Sequence, residues 1–133
     1  MPKEISAPFD MSEFRVHLED GPRLRPLQPT ADFWKRLDPE LSEGRIMGAS
    51  LIEKPEELHP TTWEMHPEGD ELLCLCSGAI DLVLDEPSGE RTIALHAGSA
   101  YVIDSGIWHR LLLREPSFLL VITRGKGTQL RDV

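Results

Sequence analysis

Thr62-Trp63-Glu64-Met65-His66-Pro67-Glu68-Gly69-Asp70-Glu71 is the stretch on which the reading of this chain turns. Residues of ligand type stand in it where a strand of a globular domain would bury apolar ones. Alternation along a strand sends Glu64 and His66 to one face and Trp63 and Met65 to the other. Two donor side chains then stand about 7 Å apart at the backbone, close enough to reach a common ion. Pro67-Glu68-Gly69-Asp70 has the composition of a turn, which returns the chain so that Glu71 begins the neighbouring strand as a third donor. A second segment, Gly98 to His109, reads as strand, turn, then a histidine at the start of another strand. His109 is therefore the fourth candidate.

The surroundings of these segments are those of an all-β domain. From Arg45 onward, short segments with strand character alternate with Gly, Pro and Asp clusters. They predict strands near 45–53, 60–66, 71–77, 79–85, 90–95, 100–103, 107–114 and 117–123. Asp85-Glu86-Pro87-Ser88-Gly89 is expected to close a hairpin, and Ser77-Gly78 and Ala97-Gly98 to punctuate in the same way. Upstream, Pro2, Pro8, Pro22, Pro26 and Pro29 interrupt regular hydrogen bonding. An N-terminal arm is expected there, with at most one strand near Phe14 to Leu18. Thr30 can cap one short helix through Ala31 to Leu37, ended by Pro39. Many strands and almost no helix mean a sandwich or a barrel.

At this point the sequence resembles the cupins, which are described by a first motif G-x5-H-x-H-x3,4-E-x6-G and a second G-x5-P-x-G-x2-H-x3-N. The first reads here as Glu64-x-His66-x4-Glu71-x6-Gly78, with Glu64 in place of the first His and Leu58 where the leading Gly would stand. The second reads Gly98-x5-Asp104-x-Gly106-x2-His109, with Asp104 for Pro and Leu113 for the final Asn. In particular, residues 63–71 look like a group of small one-barrel cupins of largely unassigned chemistry. The resemblance spans about residues 58–113. It implies an all-β fold, a double-stranded β-helix (cupin or jelly-roll barrel) open to ligand at one end. On that division, residues 1–40 are the arm and short helix of the same domain and residues 41–133 the barrel. It also implies one divalent metal held inside by Glu64, His66, Glu71 and His109, and a homodimer formed by edge strands or exchanged arms.

The Glu64 substitution changes the charge of that shell. Two neutral imidazoles and two carboxylates around a divalent ion sum to zero, whereas the three-imidazole pattern leaves a net positive charge in the barrel. The neutral set costs less to bury. Added carboxylate favours harder ions, so iron, manganese, zinc and nickel remain open, iron and manganese ahead, and copper becomes less attractive. If Glu64 swings away, His66, Glu71 and His109 form the two-histidine, one-carboxylate set of non-haem Fe(II) oxygenases. The competing reading is a buried hydrogen-bonded cluster in a barrel that no longer takes metal.

Composition narrows the functions. The 133 residues suffice for one core, and 40% hydrophobic with 28% charged residues is an ordinary globular balance. A net charge of −9 without a concentrated basic patch argues against nucleic acid and anionic membrane as partners. Residues 117–122, the longest apolar run, fall far short of the roughly 20 residues of a membrane span. The N-terminus, interrupted by Glu4, Asp10 and Glu13, lacks a signal-peptide profile, so a cytoplasmic location is the expectation. Cys74 and Cys76, two apart in an apolar run, are expected to be reduced and packed as small apolar groups rather than paired or metal-bound.

Other side chains carry the bland reading. His59 is expected at the surface, His17 and His96 lie outside the motifs, and Glu68 and Asp70 are solvated turn residues unless one of them supports the second nitrogen of a ligating His. Trp108 and Tyr101 are expected to pack rather than line a pocket, and Arg110 or Arg45 are candidate anchors for an anionic substrate. No Gly-x-Ser-x-Gly elbow or phosphate-binding loop is present. The expected function is a metal-binding cupin acting as a metalloenzyme on a small polar metabolite, by oxygenase, isomerase, lyase or hydrolase chemistry. The alternative is a non-catalytic small-molecule-binding or sensor barrel.

Overall fold

Gly78 and Ser117 mark where the two longest strands bend, and that bend organises the barrel. The computed structural model of the chain describes residues 7–30, 33 and 41–133, and these hold nine strands. In chain order they are β1 (Arg15–Leu18), β2 (Leu24–Leu27), β3 (Arg45–Ile52), β4 (Thr62–Met65), β5 (Glu71–Glu86), β6 (Gly89–His96), β7 (Ala100–Ile103), β8 (Trp108–Thr123) and β9 (Gln129–Asp132). A short 3-10 turn covers Pro55–Leu58. The expected helix at 31–37 falls outside the described residues except for Phe33, which is buried and donates its amide to Thr30 O at 3.2 Å.

All the strand pairs are antiparallel, in a jelly-roll arrangement built around β5 and β8. The first half of β5 lies between β7 and the C-terminal half of β8; its second half lies between β6 and the N-terminal half of β8. The C-terminal half of β8 also pairs with β3, while β4 meets β8 at Glu64 opposite His109. The double-stranded β-helix follows from this exchange of partners along two continuous strands.

The sequence predicts two strands in place of each of β5 and β8, with breaks at Gly78 and at residues 115–116. Instead the ladder continues through them with register shifts between Leu75 and Ile80. Gly78 adopts φ +88°, and a β-carbon there would collide with Ser117. The Ser117 hydroxyl accepts from Ala79 N at 3.1 Å and donates to Glu115 O at 2.8 Å, replacing the missing ladder bonds. A bulge of this kind bends a strand without ending it.

Two further strands depart from expectation. The arm carries a second strand, β2, despite Pro26. It is tolerated because β2 is the edge of the sheet, where a missing N–H leaves no partner unpaired. β9 follows the last predicted strand and pairs with β4; its four residues are all exposed, so no apolar alternation announces it. The hairpin at Pro87-Ser88 forms as expected, with Glu86 opposite Gly89.

The barrel interior is filled by Ile52, Leu73, Leu75, Ile80, Leu82, Leu84, Leu95, Ile103 and Leu119, each at most 5% exposed. These are the inward alternates of β3, β5, β6, β7 and β8, so the apolar filling and the strand period agree. A smaller cluster, Leu27, Phe33, Leu41 and Ile46, seats the arm against β3. Tyr101 packs against the main core as expected. Among the described residues, no helix is long and apolar enough to cross a membrane.

Candidate metal centre

Each of the four sequence candidates arrives at the site by a different local device. Glu64 points inward from β4, directly across from His109 on β8. His66 follows the last residue of β4, and its carbonyl accepts from Gly106 N at 3.0 Å, tying it to the turn that precedes β8. That turn needs Gly106, whose φ of +82° a β-carbon would strain. Glu71 opens β5 opposite Ile103. Asp70 is exposed, as expected of a solvated turn residue, and also accepts from Ser105 N at 2.8 Å, which ties the two turns together.

Their ligand atoms converge, all within 4.8 Å of one another. Glu71 Oε1 lies 3.0 Å from His109 Nε2 and 3.5 Å from His66 Nε2, and Glu64 Oε1 lies 2.8 Å from His66 Nε2. His66, Glu71 and His109 are 5, 7 and 4% exposed, whereas the Glu64 side chain is 43% exposed. The cluster is thus buried at three of its members and opens to solvent at Glu64. Leu130 of β9, paired with Glu64 and itself exposed, flanks that opening.

Hydrogen bonds around the rings decide which nitrogens face the centre. His109 Nδ1 is 3.0 Å from the Ile107 carbonyl, which can only accept, so Nδ1 carries the proton and Nε2 faces Glu71. His66 Nδ1 is 2.8 Å from Thr128 Oγ1, whose own proton goes to Gly125 O at 2.8 Å. That oxygen must accept from His66, and Nε2 again faces the carboxylates. Glu71 Oε2 accepts from the Thr123 hydroxyl at 2.5 Å, which leaves Oε1 for the centre. His66 Nε2 is buried without an aligned hydrogen-bond partner. Two ring nitrogens and two carboxylate oxygens, all but that of Glu64 oriented from behind, are the donor set of a divalent-ion site.

The electrostatics fit a missing positive charge. Burial opposes a charge on His66, yet the adjacent Glu64 and Glu71 carboxylates outweigh it and push its pKa up to about 9. Burial likewise acts to raise Glu71, but the neighbouring His109 and His66 rings hold it down at about 2. A carboxylate kept ionised in the barrel wall demands a cation, a proton on His66 or a metal in its place.

Residues outside the four fall as follows. Trp63 and Met65 take the opposite face of β4, as alternation predicts. Arg110, a candidate substrate anchor, lies on that outer face, its guanidinium 5.0 Å from the Trp63 ring and bonded to Pro60 O at 2.8 Å. It is directed away from the cluster because it neighbours His109 on an alternating strand. Arg45 is exposed at the start of β3. Trp108 is half-buried under the Arg131 guanidinium at 4.5 Å, outside the core it was expected to join. His59 is exposed with φ 49°, closing the 3-10 turn, and His17 is buried and donates through Nε2 to Glu43 O at 2.7 Å. Cys74 and Cys76 are both free. Sequence reasoning missed Thr123 and Thr128, since a single threonine carries no spacing signal.

Comparison with known proteins bears on the family and the fold. Among curated proteins, none matches the chain by sequence. By structure, it is similar to a cupin-2 domain containing protein from Shewanella frigidimarina at 21% identity, covering 59% of this chain and 69% of that one with a TM-score of 0.47. It is also similar to a single-site variant of Bacillus subtilis oxalate decarboxylase OxdC, at 17% identity and TM-score 0.50, covering 67% of this chain and 24% of that one. HppE with Fe(II) matches at 15% identity and TM-score 0.45, over 59% of this chain and 41% of the other. This chain therefore spans less than half of the decarboxylase and HppE chains. The profile described as Cupin domain matches residues 53–123, more than half of the chain and all four converging side chains, and the chain belongs to that family.

Proposed function

We propose that the protein binds one divalent metal ion through Glu64, His66, Glu71 and His109 and acts as a metalloenzyme on a small polar metabolite. The observation that carries this reading is the convergence of four ligand atoms within 4.8 Å. An ion held there supplies Lewis acidity and, for a redox-active metal, electron transfer. His66, Glu71 and His109 provide the rigid part of the shell, each braced by a hydroxyl or carbonyl behind it. Glu64 is the displaceable member, since it alone is substantially exposed and stands at the open side. A small ligand reaching the ion passes Glu64 and Leu130, while the leucine core below blocks approach from the opposite end.

Iron or manganese suits the carboxylate-rich shell best, with zinc and nickel next. Elemental analysis of the native chain, purified without a histidine tag, tests the binding claim. About one equivalent of metal is expected, lost in His66→Ala and in His109→Ala. Anaerobic Fe(II) loading followed by oxygen uptake with a panel of small hydroxy acids and diketones tests the oxygenase branch. Metal binding with ligand uptake but no turnover across such panels would instead identify a sensor barrel.

A further inference from the structure

The C-terminal strand carries a second layer of the site. Thr128 precedes β9 in a turn closed by its own amide on Gly125 O at 3.2 Å and by its hydroxyl on the same oxygen. Because that hydroxyl proton is committed, Oγ1 is a pure acceptor toward His66 Nδ1. The ring is thereby fixed in both tautomer and orientation from outside the four-residue set. A β-carbon on Gly127 would stand 3.2 Å from Pro67 Cγ, so the turn lies close beside the residue after His66.

β9 itself is a weak element. It is four exposed residues long and pairs only with β4, and a ribbon that short is marginal on main-chain bonds alone. What holds it lies on the outer face. The register sets Arg131 opposite Trp63, and its guanidinium rests 5.7 Å from the Trp63 ring and 4.5 Å from the Trp108 ring. The same guanidinium donates to Asp85 Oδ2 at 2.7 Å. Trp63 and Trp108 are the immediate chain neighbours of Glu64 and His109, pointing out where those point in. One arginine therefore clamps, from outside, β4 and β8, two of the three strands that present candidate ligands inside.

From this geometry we infer that β9 is a positioning element for His66: Thr128 fixes the ring, and Arg131, clamped against Trp63, Trp108 and Asp85, keeps Thr128 in place. The inference rests on the proposed metal site for its functional consequence, but the Thr128–His66 bond exists without metal. Neither residue belongs to the four-residue ligand set; both act through His66.

Two measurements on the full chain separate the claims. In the metal-free protein, proton NMR is expected to show a downfield, slowly exchanging Nδ1–H of His66, lost in Thr128→Val and retained in Thr128→Ser. In a Co(II) titration followed by visible absorption, Thr128→Val is expected to weaken binding about 10- to 100-fold, with Thr128→Ser close to wild type. Arg131→Ala should weaken Co(II) binding too, and the double variant with Thr128→Val should be no worse than Thr128→Val alone. An unchanged Nδ1–H signal in Thr128→Val, or equal Co(II) affinity in the valine and serine variants, overturns the positioning role. If the wild type takes up no Co(II) while the NMR differences appear, the metal assignment fails and the positioning of His66 stands.

Discussion

The two ends of the barrel interior obey the same strand alternation and fill it with opposite chemistry. At one end Ile52, Leu75, Ile80, Leu82, Leu95 and Leu119 close on one another. At the other, inward positions of β4, β5 and β8 carry Glu64, Glu71 and His109, with His66 just beyond β4. The apolar end is satisfied by contact alone, so it stabilises the fold whatever is bound. The polar end is satisfied only when its carboxylates find positive charge, so its stability depends on pH and on metal. The fold thus separates what holds it together from what lets it respond.

Cutting the apolar end should give the largest effect. Leu82→Ala, at a fully buried position, is expected to cost about 2–5 kcal/mol in chemical denaturation. The metal-induced rise in melting temperature should survive at a lower baseline; its disappearance would mean that the two ends are not separable. His109→Ala probes the other side of the comparison. The metal-free protein should still fold, but added metal should no longer raise its melting temperature, a gain that amounts to about 2.7 kcal/mol at a hundredfold excess over Kd. A preserved metal-dependent rise would remove His109 from the ligand set.

A pH series sharpens the contrast. With its pKa at about 9 against an ordinary 6.5, His66 adds stability to the metal-free fold that is complete below pH 6.5 and is lost as pH rises through 9. Glu71, at about 2 against 4.5, adds stability that is complete above pH 4.5 and is lost as pH falls through 2. The melting temperature of metal-free protein should therefore peak between those ordinary values and decline from pH 6.5 to 8.5, a decline that bound metal suppresses. Melting that rises across that interval without metal would contradict the assignment. The smallest change is expected of Glu64→Gln, because Glu64 is the exposed member and three ligands remain. Metal should still bind, more weakly, by isothermal titration.

How far the sequence carried this picture differs by region. The spacing of Glu64, His66 and Glu71 was sufficient to bring those three together, because strand alternation and a Gly-containing turn leave little freedom over such short separations, whereas His109, far along the chain on β8, was placed with them by the match to the second cupin motif. β7 and the hairpin at Pro87-Ser88 were legible for the same local reason. The continuity of β5 through Gly78 was not, since a bulge and a break share one local composition and only the partner, Ser117, distinguishes them. β2 was hidden by Pro26, which is harmless only at an edge, and β9 by its exposed, mostly polar residues. The outward direction of Arg110 follows from its adjacency to His109, a consequence that alternation predicts once the register is fixed. Thr123 and Thr128 are recognisable only from the atoms they touch.

The bend at Gly78 and Ser117 has a mechanical corollary. Glu71 lies near one end of the β5–β8 ribbon and His109, opposite Leu84, near the other; fully extended, the 13 residue steps from Glu71 to Leu84 would span about 43 Å. Folding at the bulge brings those two ends to 3.0 Å between Oε1 and Nε2. An ion bound there would staple a doubled-back ribbon end to end, so that unzipping either terminus would first have to tear out the metal.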